Sequence, residues 1–177
     1  YSKSWFFPRY AGGGIHEKVV TGMLVGELQS ARCFADIGAH LGWFTCVAAK
    51  HMPLGNVFGF EMDNLSFSLL EQNVATNDCA NVEVYNVAVS DVSGIASYKR
   101  YSMHPNAALR LQANTKDEQS GSVSVDSVAL DEFFESKGVA PDVVKIDVEG
   151  AEMNVLMGMR QTLRNCRPVL FLEIHPP

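Results

Sequence analysis

Residues 33–61 constrain the fold most, because their pattern predicts a single strand–turn–helix–strand unit. A short apolar strand ends in Asp36, and Gly38 and Gly42 bracket the turn that leads into the helix. The second strand ends in Glu61, nineteen residues after Gly42. An open α/β sheet places at that point the carboxylate that accepts the two hydroxyls of a ribose. The unit therefore predicts a nucleoside-binding site.

The turn differs from a dinucleotide-binding turn, which requires the spacing G-x-G-x-x-G. Here the pattern is D-x-G-x-H-x-G over residues 36–42, with an acid before the first glycine. Asp36 would repel a pyrophosphate but would pair with the ammonium of S-adenosylmethionine, whose carboxylate suits the N–H groups at a helix start. The spacing thus favours S-adenosylmethionine over NAD(P). In the alternative interpretation, Asp36 only ends a strand and Glu61 is a surface acid.

The composition is that of one globular domain. The chain has 177 residues, 47% of them apolar, which is enough for a hydrophobic core. A net charge of −6 without a Lys/Arg cluster argues against a nucleic-acid partner. Neither a membrane span of about 18 apolar residues nor a leader is found, so we expect no membrane association. Four cysteines without C-x-x-C spacing indicate reduced thiols and a cytoplasmic location.

The rest of the chain alternates strands with helices, which predicts a mostly parallel, Rossmann-like α/β sheet with right-handed crossovers. We expect one domain over residues 1–177, with an N-terminal segment and helix at 1–30 and a cofactor-binding core at 31–177. The polar, irregular stretch 100–121 predicts a flexible insertion that contacts the substrate. Its candidate contacts are Tyr101, His104 and Arg110.

Hydrophobic periodicity predicts the remaining elements. The predicted strands are 82–87, 95–98 as an antiparallel excursion, 142–146 and 169–174, with 122–128 as a strand or connector. The predicted helices are 16–30, one capped by Asp63 or Asn64, a short one closed by Gly138, and one carrying Val155, Leu156, Met159 and Leu163.

A second polar group follows the fourth and fifth core strands. Lys145, Asp147 and Glu149 share one face by the strand period of two, as do Glu173 and His175. Because parallel strands end at the same edge of a sheet, we expect these groups to converge beside the ligand. They suit removal of an acceptor's proton by a base, namely His175, Asp147 or Glu173, or acidification of the acceptor by a divalent cation bound to those three. We favour the base. Alternatively, Lys145 pairs with Glu149 or Glu173, and Asp147 holds the cofactor's ammonium.

Taken together, these motifs resemble the FkbM-like family of S-adenosylmethionine-dependent methyltransferases. The resemblance covers roughly residues 16–176 and rests on DIGAHLG, VAVSD, ALDEFF, VVKIDVEGAEMNVLMGM and LFLEIHP, with KIDVEGAE the most specific part. It implies a class I methyltransferase fold and methyl transfer to a hydroxyl on a sugar or secondary metabolite, so the expected partner is a small-molecule or glycan acceptor. His40 stands where the family often has Asn.

The site residues that we predict fall into two groups. The cofactor-binding group is Asp36, Gly38, Ala39, His40, Gly42, Glu61, Met62, Val87, Ala88 and Asp147. The catalytic group is Asp147, Glu173 and His175, and no residue is assigned as a metal ligand.

The sequence departs from the family pattern after the fifth strand. Class I sheets normally add a sixth and a seventh strand, whereas this sequence ends at Pro177. The fifth strand would then have an unpaired apolar edge, and we expect further polypeptide or a homodimer partner to cover it. The competing functions are a cofactor-binding module without turnover and an NAD(P)-dependent oxidoreductase. Methylation of nucleic-acid bases is disfavoured, because residues 147–150 do not have the Pro-Pro-aromatic pattern of those enzymes.

Overall fold

A computed structural model describes residues 14–100, 109–112 and 122–175. In chain order the elements are α1 (Lys18–Leu28), β1 (Cys33–Ile37), α2 (Trp43–His51), β2 (Asn56–Phe60), α3 (Asn64–Thr76), β3 (Val82–Tyr85), β4 (Ala88–Val89), β5 (Gly94–Arg100), β6 (Leu109–Gln112), β7 (Ser122–Val128), α4 (Leu130–Lys137), β8 (Val143–Ile146), α5 (Glu152–Gly158), α6 (Arg160–Asn165) and β9 (Val169–Leu172). None of the helices in these ranges has the length and apolar character needed to cross a bilayer.

The central sheet has five parallel strands in the order β3-β2-β1-β8-β9. The chain builds outward from β1 to β3 and then returns to the other side of β1 with β8 and β9. Such a reversal leaves a crevice outside the carboxyl ends of the two strands at which it occurs, here β1 and β8. The predicted α/β class and mostly parallel sheet are confirmed.

Strand β1 is buried on both faces, and its alternation decides where its acid points. Cys33, Ala35 and Ile37 pack in the core cluster that α4 and α5 cover. Phe34 belongs to the opposite cluster, which α1 and α2 cover. Because side chains alternate along a strand, Asp36 lies on the same face as Phe34, toward α2.

A second sheet, in the order β4-β7-β5-β6, extends the predicted excursion. Strand β5 is antiparallel to β6 and β7, as expected, but β4 pairs in parallel with β7. The predicted strand 82–87 is therefore too long: β3 ends at Tyr85, and the chain changes sheet at Asn86. The side-chain amide of Asn86 donates to the carbonyls of Glu61 (2.9 Å) and Met62 (3.3 Å), which turns the chain away from β3.

The predicted single helix after β8 is wrong, because the structure has two helices that meet at Met159. Gly158 packs so tightly on the turn after β4 that a Cβ there would lie 2.0 Å from the Ser90 carbonyl oxygen. Asp131 of α4 accepts hydrogen bonds from the backbone of Gln161 (2.8 Å) and Thr162 (2.7 Å). The second helix therefore begins afresh, with its free N–H groups satisfied by a side chain from another helix.

Two predicted helix ends are confirmed. Asp63 caps α3, since its Oδ1 accepts hydrogen bonds from the N–H groups of Leu65 (3.1 Å) and Ser66 (3.0 Å). Gly138 ends α4 with a left-handed φ of 65°.

In the predicted flexible insertion, residues 109–112 form β6 against β5. Tyr101 and His104 lie outside the described residues, as does the side chain of Arg110.

Candidate functional site

Asp36 is the next-to-last residue of β1, lies beneath α2 and is 1% exposed. Its Oδ2 accepts a hydrogen bond of 2.6 Å from the Thr45 hydroxyl. Within the described ranges, Oδ1 is a buried oxygen without a hydrogen-bond partner. Burial raises the pKa of Asp36 overall, although Lys145 and Thr45 act to lower it. Because a buried carboxyl oxygen without a partner is costly, Oδ1 is the atom here that a cationic donor would stabilise most.

Gly38 and Gly42 have left-handed backbone conformations, with φ of 78° and 86°. A Cβ at Gly38 would lie 1.8 Å from the carbonyl oxygen of Asp147, and one at Gly42 would lie 2.5 Å from Leu70 Cδ1. These glycines therefore let the turn pack directly against the loop after β8 and against α3. The contact at Gly38 joins the ends of β1 and β8, where the sheet order reverses.

Glu61 follows β2 and is 6% exposed. Its two carboxylate oxygens accept hydrogen bonds of 2.8 Å from the backbone N–H groups of His40 and Asp63. His40 has φ 51°, in the left-handed region that Asn, Asp and His adopt more readily than most residues. The turn after β1 and the end of β2 are thus tied together through one carboxylate.

The carboxylate of Glu61 retains hydrogen-bonding capacity. A carboxylate offers about four acceptor sites, and the two backbone donors occupy only part of them. Burial raises the pKa of Glu61 to about 7, although both N–H donors lower it. The remaining acceptor sites, at the end of the strand beside β1, fit a ligand with two adjacent hydroxyls.

Lys145 lies opposite Asp36 in the register of β1 and β8 and is 4% exposed. Its ammonium is 3.0 Å from Asp147 Oδ2 and 4.7 Å from the centroid of the Phe44 ring. The structure thus pairs Lys145 with Asp147 rather than with Glu149 or Glu173. One buried cation lies near two acids, Asp36 and Asp147, and this leaves an excess negative charge when both acids are ionised.

His175 follows β9 and is surrounded by carboxylates. Its Nδ1 lies 3.1 Å from Glu152 Oε1, and its Nε2 lies 3.3 Å from Glu173 Oε1 and 3.6 Å from Glu149 Oε2. The expected convergence of the two strand ends is therefore confirmed. Glu152 also contacts the imidazole and is not among the predicted site residues; the signal for it in the sequence is an acid in the first turn of the helix that follows the strand end.

The acids control proton affinity at His175. Burial lowers the pKa of His175, but Glu152, Glu149, Asp147 and Glu173 together raise it above its usual 6.5. Burial and the nearby Asp147 likewise raise the pKa of Glu173. An imidazole in such surroundings is well suited to accept a proton.

Asp147, Glu149 and His175 each place one ligand atom within 4.8 Å of the other two. Oxygen and imidazole donors of this kind bind Mg²⁺ or Mn²⁺. This set contains Glu149 where we expected Glu173. The ammonium of Lys145, already bonded to Asp147, opposes a second positive charge at that carboxylate. The donors are therefore compatible with a divalent cation but do not require one.

The remaining predicted cofactor residues differ in burial, with Ala39 and Ala88 buried and Met62 and Val87 half-buried. Asn86 begins the stretch in which we expect the adenine ring but is not among the predicted site residues, and its amide donates to the carbonyls of Glu61 and Met62. The signal for this role is its place directly after β3. It holds the segment predicted to contact an adenine ring against the end of β2.

A sequence model described as the methyltransferase FkbM domain matches residues 36–177. The chain is 29% identical over 160 residues to hexuronic acid methyltransferase AglP of Haloferax volcanii, covering 90% of this chain and 62% of that protein. It is 26% identical over 150 residues to 2-O-methyltransferase NoeI of Sinorhizobium fredii, covering 75% and 59%. The chain thus spans about three-fifths of the length of these relatives.

A solved structure with a similar fold is precorrin-6y C5,15-methyltransferase of Geobacter metallireducens. The two are 14% identical, with a TM-score of 0.50, and the alignment covers 85% of this chain and 60% of that chain. At this level of identity the likeness concerns the fold alone.

Proposed function

The chain belongs to the FkbM methyltransferase family, and from that premise we propose that it transfers the methyl group of S-adenosylmethionine to a hydroxyl oxygen. The observation that carries the proposal is the pair of buried acids at adjacent strand ends. Asp36 has an oxygen without a partner among the described residues, and Glu61 has acceptor sites to spare. Asp36 suits the ammonium of the methyl donor, and Glu61 suits its ribose hydroxyls.

The proposed cofactor position follows from these two acids. Glu61 would hold the ribose, and Met62, Val87 and Ala88 would contact the adenine. The turn of residues 36–42 would hold the amino-acid part, together with Asp147. Because Oδ1 of Asp36 is itself buried, the ammonium reaches it through a shift of the turn or through a bridging water. Either route satisfies an oxygen that is costly to leave unpaired.

The methyl transfer itself is an in-line displacement. The acceptor oxygen forms a bond to the methyl carbon while the carbon–sulfur bond breaks, and the sulfonium leaves as a neutral thioether. His175 takes the hydroxyl proton at Nε2, and Asp147 and Glu173 stabilise the imidazolium that results. The residues of this chain mainly align the acceptor and accept its proton, since the methyl donor is already activated.

Activation by a divalent cation is the alternative to the histidine base, because Asp147, Glu149 and His175 are compatible with one. Removal of divalent cations with a chelator distinguishes activation by a metal from proton removal by His175. We expect turnover to be unchanged by EDTA; loss of turnover that a single divalent ion restores would assign activation to the metal.

The acceptor in this proposal is a sugar hydroxyl, with a hydroxylated secondary metabolite as the second class. One relative is named a hexuronic acid methyltransferase, and another is named a 2-O-methyltransferase, which supports an oxygen acceptor on a sugar. A panel of glycans and hydroxylated metabolites with radiolabelled methyl donor tests this. Methylation of amines alone would contradict it.

Calorimetry tests the cofactor assignment. We expect binding of S-adenosylmethionine and S-adenosylhomocysteine, and no binding of NAD, whose pyrophosphate Asp36 would repel. Binding of the methyl donor without turnover on any acceptor would favour the module without catalysis.

We also propose a homodimer through the edge of β9. This strand pairs with β8 only, among the described residues, and Val169 and Leu170 on it are 41% and 36% exposed. Light scattering coupled to size exclusion should give twice the monomer mass; a monomer would contradict the proposal.

The proposed location of the protein is the reducing cytoplasm, because all four cysteines are free thiols.

A further inference from the structure

Glu152 is a buried carboxylate that the proposed chemistry has not yet used. It is the first residue of α5 and is 6% exposed. Its Oε1 accepts a hydrogen bond of 2.9 Å from the N–H of Gly150 and lies 3.1 Å from Nδ1 of His175. One oxygen therefore joins the loop after β8 to the residue that follows β9.

The backbone before Glu152 holds this arrangement in place. Glu149 and Gly150 both have left-handed conformations, with φ of 53° and 100°. The consecutive left-handed residues turn the N–H of Gly150 back toward the first turn of α5, where it meets Glu152. The carboxylate is thus fixed from the backbone side and not only by the imidazole.

The contact between Glu152 and His175 distinguishes the two ring nitrogens. Burial raises the pKa of Glu152, but the N–H groups of Gly150 and of Glu152 itself, together with His175, lower it by more. Glu152 is therefore a carboxylate, which can only accept hydrogen bonds. Both ring nitrogens lie near carboxylates, but the contact at Nδ1 is shorter, 3.1 Å against 3.3 and 3.6 Å at Nε2, and its acceptor is also held by the N–H of Gly150. This geometry favours hydrogen on Nδ1 in the neutral imidazole, with the lone pair on Nε2.

The two ring nitrogens face different surroundings. The Glu152 side chain next to Nδ1 is 8% exposed, whereas the Glu173 and Glu149 side chains next to Nε2 are 49% and 46% exposed. The charged groups that act on the ring are Glu152 from α5, Asp147 and Glu149 from the loop before it, and Glu173 from its own strand end. Nδ1 is thus anchored inward, and Nε2 points to the accessible side.

We propose that Glu152 is a positioning residue for methyl transfer: it holds His175 as the Nδ1–H tautomer and presents the Nε2 lone pair to the acceptor hydroxyl. The proposal rests on the proposed function, in which that nitrogen takes the proton from the oxygen that is methylated. Glu152 itself neither gains nor loses a proton in the step.

The tautomer can be measured without turnover. We would record ¹⁵N shifts of the two His175 ring nitrogens by NMR, in EDTA and at a pH where the imidazole is neutral. The expected result is hydrogen on Nδ1 in the unaltered protein. Hydrogen on Nε2 would overturn the proposal whether or not any variant folds.

Two variants connect the tautomer to activity. In Glu152→Gln the amide can donate to Nδ1, so we expect the Nδ1–H tautomer to lose its dominance and kcat to fall on the order of 10²-fold, with the KM of the methyl donor unchanged. The matched control is Glu132→Gln. Glu132 is also an acid in the first turn of a helix, but it accepts a hydrogen bond from Ser93 instead of pairing with a histidine.

The outcomes are separable. A folded Glu152→Gln protein with the unaltered tautomer and kcat would overturn the positioning role, as would an equal loss in Glu132→Gln. If the unaltered protein shows hydrogen on Nδ1 but methylates no acceptor, the proposed function fails while the assignment of the tautomer stands.

Discussion

The acids at the ends of β1 and β2 are held differently from those at the ends of β8 and β9. Asp36 and Glu61 are almost fully buried, and Glu61 is bound by the backbone N–H groups of His40 and Asp63. Glu149, Glu173 and the imidazole between them are more exposed, and they contact one another through their side chains.

The difference teaches how one crevice can serve two tasks. Backbone donors around a buried acid cannot turn away from it, so the first region suits a ligand that is the same in every reaction cycle. Side chains that surround an imidazole mainly change its affinity for a proton, which suits the step in which a proton moves. The comparison therefore separates binding of the methyl donor from activation of the acceptor, and a variant within one region should leave the task of the other region unchanged.

The largest effect should come from His175→Ala. Removing the proposed base should lower kcat on the order of 10²- to 10⁴-fold. Affinity for S-adenosylmethionine should stay the same, because His175 lies at the β8–β9 end. Steady-state kinetics and calorimetry on the same preparation measure both quantities. A matching loss of cofactor affinity would break the separation between the two regions.

The next effect concerns the contact that joins the two regions. Gly38→Ala would place a Cβ 1.8 Å from the Asp147 carbonyl oxygen, whereas Gly138→Ala, at a similar positive φ, meets nothing within 4 Å. We expect the first to lower the free energy of unfolding by about 3 kcal/mol or more, and the second by about 1 kcal/mol. Urea unfolding of both variants measures the difference. Equal losses would mean that backbone strain alone matters at Gly38.

A smaller effect is expected at Glu61. In Glu61→Gln one acceptor atom is replaced by a donor, so affinity for S-adenosylmethionine should fall roughly 10-fold at pH 8. In the unaltered protein the affinity should rise as the pH passes through about 7, because Glu61 then ionises and accepts both ribose hydroxyls. Calorimetry between pH 5.5 and 8.5 should show this rise, and a flat profile in Glu61→Gln.

The same pKa has a consequence for stability. Folding raises the pKa of Glu61 from 4.5 to about 7, so the folded state favours the neutral carboxyl. The stability from this group is complete below pH 4.5 and is lost as the pH rises through about 7. Without ligand, the unaltered protein should therefore lose more stability over this range than Glu61→Gln does. A larger loss in the variant would contradict the burial of the carboxyl.

The smallest effect is expected from Glu149→Gln. Glu149 is one of the acids that raise the pKa of His175, so its removal should lower that pKa. The neutral base is then available at lower pH, and the rising part of the kcat profile should move toward lower pH. At pH values below the midpoint of the kcat profile, kcat should increase by roughly 1.5- to 5-fold, because the Glu149–His175 pair is partly exposed to solvent. A shift toward higher pH would contradict the role given to these acids.

The fold and the first region were largely predictable, because their signals are local. The apolar strand before Asp36, the glycine turn and the cap at Asp63 each lie within a few residues, and the structure confirms these elements. The break at Met159 and the change of sheet at Asn86 were missed. Both depend on packing partners far away in the sequence, Ser90 and Asp131 in one case and the carbonyls after β2 in the other.

The sequence alone determined the alternation of the core strands with helices, the acids at the carboxyl ends of β1 and β2, and the presence of polar residues after β8 and β9. Periodicity and turn chemistry act over a few residues, and this is enough to place such features along the chain. Only the tertiary structure decided which acid meets which base: Lys145 pairs with Asp147, and His175 is anchored by Glu152 rather than by Glu173 alone. Those pairings depend on how α5 and β9 pack beside β8, and no pattern within one segment determines the distance between side chains on separate elements.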